Sequence, residues 1–140
     1  MATAIDPRDA VVLITEDNED NLLITSSCLQ KMQVRYVEGR PSGRAMFELI
    51  DTLRDTPIHL ILLDLKIPNE DGYTILQQIR QHPQLRDTLV VALTANVMVT
   101  DVERAQKAGF NGFIGKPMDR KRFPVQIERI LRGEAVWESR

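Results

Sequence analysis

Five short apolar runs alternate along the chain with longer segments in which apolar residues recur every three or four positions. The runs are Val11 to Thr15, Val34 to Val37, His59 to Leu63, Leu89 to Leu93 and Gly112 to Gly115. Nearly continuous apolar runs of this length, bounded by turn residues, read as buried strands of a parallel sheet. The intervening spacing reads as helices laid on that sheet: Leu22, Thr25, Leu29 and Met32 share one face, with Cys28 half-buried among them. Ala45, Met46, Leu49, Ile50 and Leu53 mark a second helix, and Ile75, Leu76 and Ile79 a third. Val102, Ala105 and Ala108 mark the fourth, and Ile127, Ile130 and Leu131 the last. Gly39, Pro41 and Gly43 form the turn before the second helix, and Pro83 closes the third. Thr100 or Asp101 is placed to cap the fourth helix and Gly109 to end it in the left-handed conformation. Pro124 has no N–H, so the last helix begins near Arg122 or bends there, and it stops at Gly133. This alternation predicts an α/β fold, a doubly wound (βα)5 domain with a five-stranded parallel sheet.

With 140 residues, 43% of them hydrophobic, the chain has the length for one domain with a substantial core. The expected boundaries are an N-terminal extension over 1–10, the domain over 11–132 and a short polar tail over 133–140. A formal charge of −2 gives no global field for nucleic acid or an anionic membrane. The single Cys28 excludes an internal disulfide, and Met1 to Pro7 lack the basic and apolar regions of a signal peptide. No apolar stretch reaches membrane-spanning length. A soluble cytoplasmic protein is expected, without nucleic acid or membrane partners, as a monomer or weak dimer. Trp137 in the tail reads either as a partner anchor or as an aromatic folded back on the domain.

The runs end on residues that carry chemistry. The first leads into Glu16-Asp17 and the third into Asp64, and two others end on Thr94 and Lys116. Open parallel sheets gather ligands outside the carboxyl ends of their strands, so these side chains should meet. Three carboxylates, a hydroxyl and one ammonium form an oxygen-rich, negative pocket suited to Mg²⁺ with phosphate groups. The chemistry implied is phosphoryl transfer. Glu16 to Asp20 also fit a solvated acidic helix start capped by Asn18 or Asp20; the metal role falls to Glu16 and Asp17, the solvated role to Glu19 and Asp20. His59 and His82 lie far from the acids in sequence and read as rim residues.

Taken in order, Glu16-Asp17, Asp64, Thr94 and Lys116-Pro117 resemble the receiver domain of two-component response regulators, the CheY-like, flavodoxin-like fold. The resemblance runs from Val11 to Leu131. Leu62 to Gly72 match the family's phosphoacceptor segment, and Ala92 to Asn96 and Phe113 to Pro117 its other two landmarks. It implies strand order 2-1-3-4-5 and a phosphoryl group taken by Asp64 from a histidine kinase or histidine phosphotransfer protein. Glu16, Asp17, Asp64 and the Lys66 backbone carbonyl are then the Mg²⁺ ligands. Lys116, aimed by a cis bond to Pro117, pairs with Asp64 and later with phosphoryl oxygens. Thr94 donates its hydroxyl to the phosphoryl group, Ala95 leaves it room, and Phe113 turns inward with Thr94 as the switch. Lys66 and Asn96 govern access of hydrolytic water.

The resemblance further implies a phosphoacceptor signalling protein rather than an enzyme. Its unknown downstream protein would dock on the face of the fourth helix, fifth strand and fifth helix, with Val97 to Ala108 moving most. A stand-alone receiver is expected, since little chain follows the last helix; a receiver excised from a hybrid kinase carries the same pattern. A phosphorylation-independent adaptor normally lacks one or more of these residues, and all are present. An aspartyl phosphohydrolase usually places a second Asp where this chain has Lys66.

Overall fold

The computed structural model describes residues 4–95 and 98–138. Among them are β1 (Val11–Thr15), α1 (Glu19–Lys31), β2 (Tyr36–Arg40), α2 (Gly43–Thr52) and β3 (Leu60–Asp64). A two-stranded antiparallel hairpin, β4 (Lys66–Ile67) and β5 (Glu70–Asp71), precedes α3 (Gly72–Gln81). The chain continues through β6 (Leu89–Thr94), α4 (Val99–Ala108), β7 (Gly112–Gly115), α5 (Arg122–Leu131) and β8 (Val136–Glu138). The main sheet is parallel in the order β2-β1-β3-β6-β7-β8. Its first five members reproduce the expected doubly wound order.

The sixth strand corrects the expected count of five. It forms from residues 136–138, which polar neighbours disguise as tail. Val136 is apolar and buried, Trp137 packs on the core, and α5 returns the chain to the free edge of β7. Gly112 permits the approach: a Cβ there would stand 2.9 Å from the Val136 carbonyl oxygen.

All residues of β1 and β3 are buried because both sheet faces are covered. One core, under α2, α3 and α4, holds Met46, Ile50, Ile75, Leu76 and Phe113; the other, under α1 and α5, holds Leu29, Phe123 and Ile127. The second strand lies later than its apolar run suggests, pairing Tyr36 to Arg40 with Val11 to Thr15. Gly39 is thus a strand residue rather than part of the turn, and a Cβ on it would run into the Leu22 side chain. The Ser42 hydroxyl then caps α2, accepting from the Ala45 N–H at 3.1 Å.

The fourth helix starts with Met98 at its N-cap and makes no side-chain cap bond, so neither Thr100 nor Asp101 caps it. Asp101 instead lies in the first turn, where a carboxylate suits the helix dipole. Ala108 is exposed, while Gly109 ends the helix at φ 104° as expected. Asn96 and Val97 lie outside the described residues. The last helix begins at Arg122, with Pro124 in its first turn.

Candidate functional site

The carboxyl ends of β1, β3, β6 and β7 converge as the run-ends require. Asp64 closes β3 and is 3% exposed; Glu16 directly follows β1 and is 2% exposed. The Lys116 ammonium donates to Asp64 Oδ2 at 2.7 Å and to Glu16 Oε1 at 2.8 Å. The Lys66 N–H donates to Asp64 Oδ1 at 2.8 Å, so both oxygens of Asp64 carry a partner. Lys116 is anchored in turn by its N–H, which donates to the Thr94 carbonyl oxygen at 2.8 Å, and its bond to Pro117 is cis. Thr94 is buried at the end of β6, Ala95 is exposed beside it, and Phe113 is buried on the neighbouring strand. Asn18 caps α1 by accepting from the Asn21 N–H, which leaves Glu19 and Asp20 exposed in the first turn.

A profile of the response regulator receiver domain matches residues 12–128. The chain belongs to that family. The receiver is similar to the signal transduction histidine-protein kinase BarA of Escherichia coli (strain K12), with 30% identity over 125 residues. That match covers 89% of this chain but 13% of BarA, so the chain spans a small part of that relative's length. It is also similar to the polar-differentiation response regulator DivK of Brucella ovis, 31% identical over 120 residues, covering 86% of this chain and 94% of DivK. The chemotaxis protein CheY4 of Vibrio cholerae shares the fold, with a TM-score of 0.75 at 21% identity over 86% of this chain and 98% of that one. Among the described residues, no helix of the receiver is long and apolar enough to cross a membrane.

Electrostatics in the receiver's site follow from the contacts. Burial, and then the hydrogen bond to Asp64, raise the Glu16 carboxyl from 4.5 to about 7, although Lys116 pulls the other way. Burial opposes the Asp64 anion too, but hydrogen bonds from Glu16, Lys116 and the Lys66 N–H outweigh it and hold Asp64 below its ordinary 3.8. Burial likewise works against the Lys116 ammonium, yet its two carboxylate partners raise its pKa. Glu16 is thus the group that gives up charge, and Asp64 remains the anion. Exposed Asp17 completes an acidic cluster in which Glu16, Asp17 and Asp64 each offer an oxygen within 4.8 Å of the others. Even with Glu16 neutral, two further acids against one ammonium leave an oxygen-rich, negative site, which fits a hard divalent cation.

Two residues escaped the sequence reading. A cleft of about 190 Å³ is lined by Lys66, Thr94, Tyr73 and Arg104. The Arg104 guanidinium lies 4.0 Å above the Tyr73 ring, whose edge meets Phe110 at 5.7 Å between centroids. In sequence Arg104 is one more charge on a solvated helix face. Neither histidine joins the site: His59 Nδ1 accepts from the Val11 N–H, and His82 Nδ1 from the Gln84 N–H.

Proposed function

We propose that Asp64 accepts a phosphoryl group from the phosphohistidine of a histidine kinase or histidine phosphotransfer protein, and that the phosphorylated chain signals by protein contact. One observation carries the reading: a buried carboxylate held as an anion by Lys116 and the Lys66 N–H, beside two further acids. An Asp64 oxygen attacks phosphorus as the P–N bond to imidazole breaks, and the imidazole leaves with the electron pair and takes a proton from solvent. Lys116 moves from the carboxylate to the phosphoryl oxygens, Thr94 donates its hydroxyl to one of them, and small Ala95 leaves space for the group. Phe113 is buried before the phosphoryl group arrives, so phosphorylation holds an inward state that is already populated. Glu16, Asp17, Asp64 and the Lys66 carbonyl would hold Mg²⁺, and the bound ion supplies positive charge against the carboxylates and the incoming phosphoryl group.

The donor's approach is set by the surface around α1. Exposed Leu23 and Ile24 line an apolar groove of about 500 Å³ with Cys28, Met32 and Pro124, rimmed by Lys31 and Arg120. Ile24 and Arg120 also line a smaller cavity that reaches Lys116 and Pro117. A donor helix seated in the groove therefore has its phosphohistidine next to the acidic site. This reading places the receiver in the cytoplasm with its donor. Incubation with a phosphorylated histidine phosphotransfer domain and Mg²⁺ should move the label to this chain, as an acid-stable, base-labile phosphate. Equal labelling of Asp64→Asn would overturn the assignment.

A further inference from the structure

The edge of β7 between α4 and α5 is filled by the chain's own strand. β8 sets Val136 beside Gly112, Trp137 beside Phe113 and Glu138 beside Ile114, in parallel register. Successive side chains point to opposite faces. Val136, 1% exposed, enters the core under α1 and α5, while half-buried Trp137 packs on the opposite core beside Phe113. Glu138 returns to the first face and meets α5, where its Oε1 accepts from Gln126 Nε2 at 2.8 Å and its Oε2 from Arg122 Nη2 at 3.0 Å. Gln126 is a buried amide among apolar helix neighbours, so the Glu138 carboxylate satisfies a donor that burial would otherwise penalise. Gly112 keeps the groove floor low enough for a second backbone. Each feature selects something: a small apolar residue, then an aromatic one, then an acid, in one direction and one register.

We propose that this edge is a strand-recognition site for an extended segment of the pattern apolar, aromatic, acid, and that β8 is its resident and displaceable occupant. A partner protein reaches the site by supplying such a strand in place of β8. Displacement breaks only a short pairing. β8 contributes three residues, hangs from Gly133 at φ 89°, and its connector borders a cavity of about 180 Å³ lined by Phe110, Asn111, Ala135 and Trp137. Its advantage is the tether, which gives an attached strand an effective concentration of the order of millimolar. The docking face expected around α4, β7 and α5 is therefore filled at its strand edge, and Trp137 sits there beside the switch residue Phe113.

Trp137 is the single tryptophan, so its emission reports on β8 in the full chain. Val136→Asp and Glu138→Ala should each shift that emission to the red. A fluorescein-labelled peptide reproducing residues 132–138 should then bind each variant about tenfold more tightly than the unaltered chain, by fluorescence anisotropy. A second peptide with alanine for its final glutamate should bind about tenfold more weakly than the first. Glu138→Ala removes only the clamp at the rim and carries the test alone if Val136→Asp fails to fold. Equal binding to variant and unaltered chain, equal binding of the two peptides, or no binding to either variant would overturn the proposal.

Discussion

Replacing Glu16 by glutamine isolates the electrostatic cost built into the site. Glutamine keeps an oxygen for Lys116 and offers an N–H toward Asp64, much as the protonated glutamic acid does, but it cannot ionise. Burial raises Glu16 from 4.5 to about 7. A raised pKa contributes stability that is complete below the unfolded value and is lost as pH rises through the folded one. At about 1.4 kcal/mol per pH unit, ionising Glu16 by pH 8 costs the metal-free fold about 3 kcal/mol, with the attraction of Lys116 already included. Asp64 does not confuse the measurement, because its lowered pKa places its own loss of stability in acid below 3.8. Urea denaturation in EDTA at fixed ionic strength should therefore find Glu16→Gln close to the unaltered chain near pH 4.5. Near pH 8 the variant should be more stable by about 3 kcal/mol. A difference that stays flat across this range would mean that folding leaves the ionisation of Glu16 unchanged.

Three further outcomes follow from the same contacts. Lys116→Met leaves two buried carboxylates without their cation, and should destabilise the metal-free chain by about 3 kcal/mol at pH 8, less at pH 5 where Glu16 takes a proton, in the same denaturation assay. Asp17→Ala removes an exposed acid, so it should change metal-free stability by less than about 0.5 kcal/mol while abolishing the rise in Tm that Mg²⁺ gives the unaltered chain. Binding of Mg²⁺ to Glu16 must expel its proton, so calorimetry in buffers of different ionisation enthalpy should find close to one proton released at pH 6 and almost none at pH 8.5.

Legibility in the sequence tracked how completely each segment is buried. β1, β3 and β6 have both faces covered, so their apolar runs mark them almost to the residue. β2 is half-buried throughout and includes Glu38, Gly39 and Arg40, so periodicity points two residues too early and the strand is fixed by pairing with β1. β8 is shorter still, and no local pattern in Val136-Trp137-Glu138 separates a strand from a tail; only the open edge of β7 makes it one. The acids were legible for a topological reason, since a parallel sheet brings strand ends together whatever their separation in sequence. Glu16 and Asp64 lie far apart in the chain yet share Lys116. Arg104 and Tyr73 were not, because a helix-surface arginine has no sequence mark until α4 is laid beside α3. The same holds for the apolar groove at Leu23 and Ile24, whose exposure depends on how α1 meets α5.

Locating the phosphate by mass spectrometry decides whether Asp64 is the phosphoacceptor. The chain is incubated with acetyl phosphate and Mg²⁺, and the acyl phosphate is reduced with borohydride, which converts the modified aspartate to homoserine before peptide mapping. The expected result is a single modified peptide with homoserine at position 64, absent without Mg²⁺ and absent from Asp64→Asn. Modification at any other carboxylate, or an unmodified Asp64 in a chain that binds Mg²⁺, would rule Asp64 out as the phosphoacceptor.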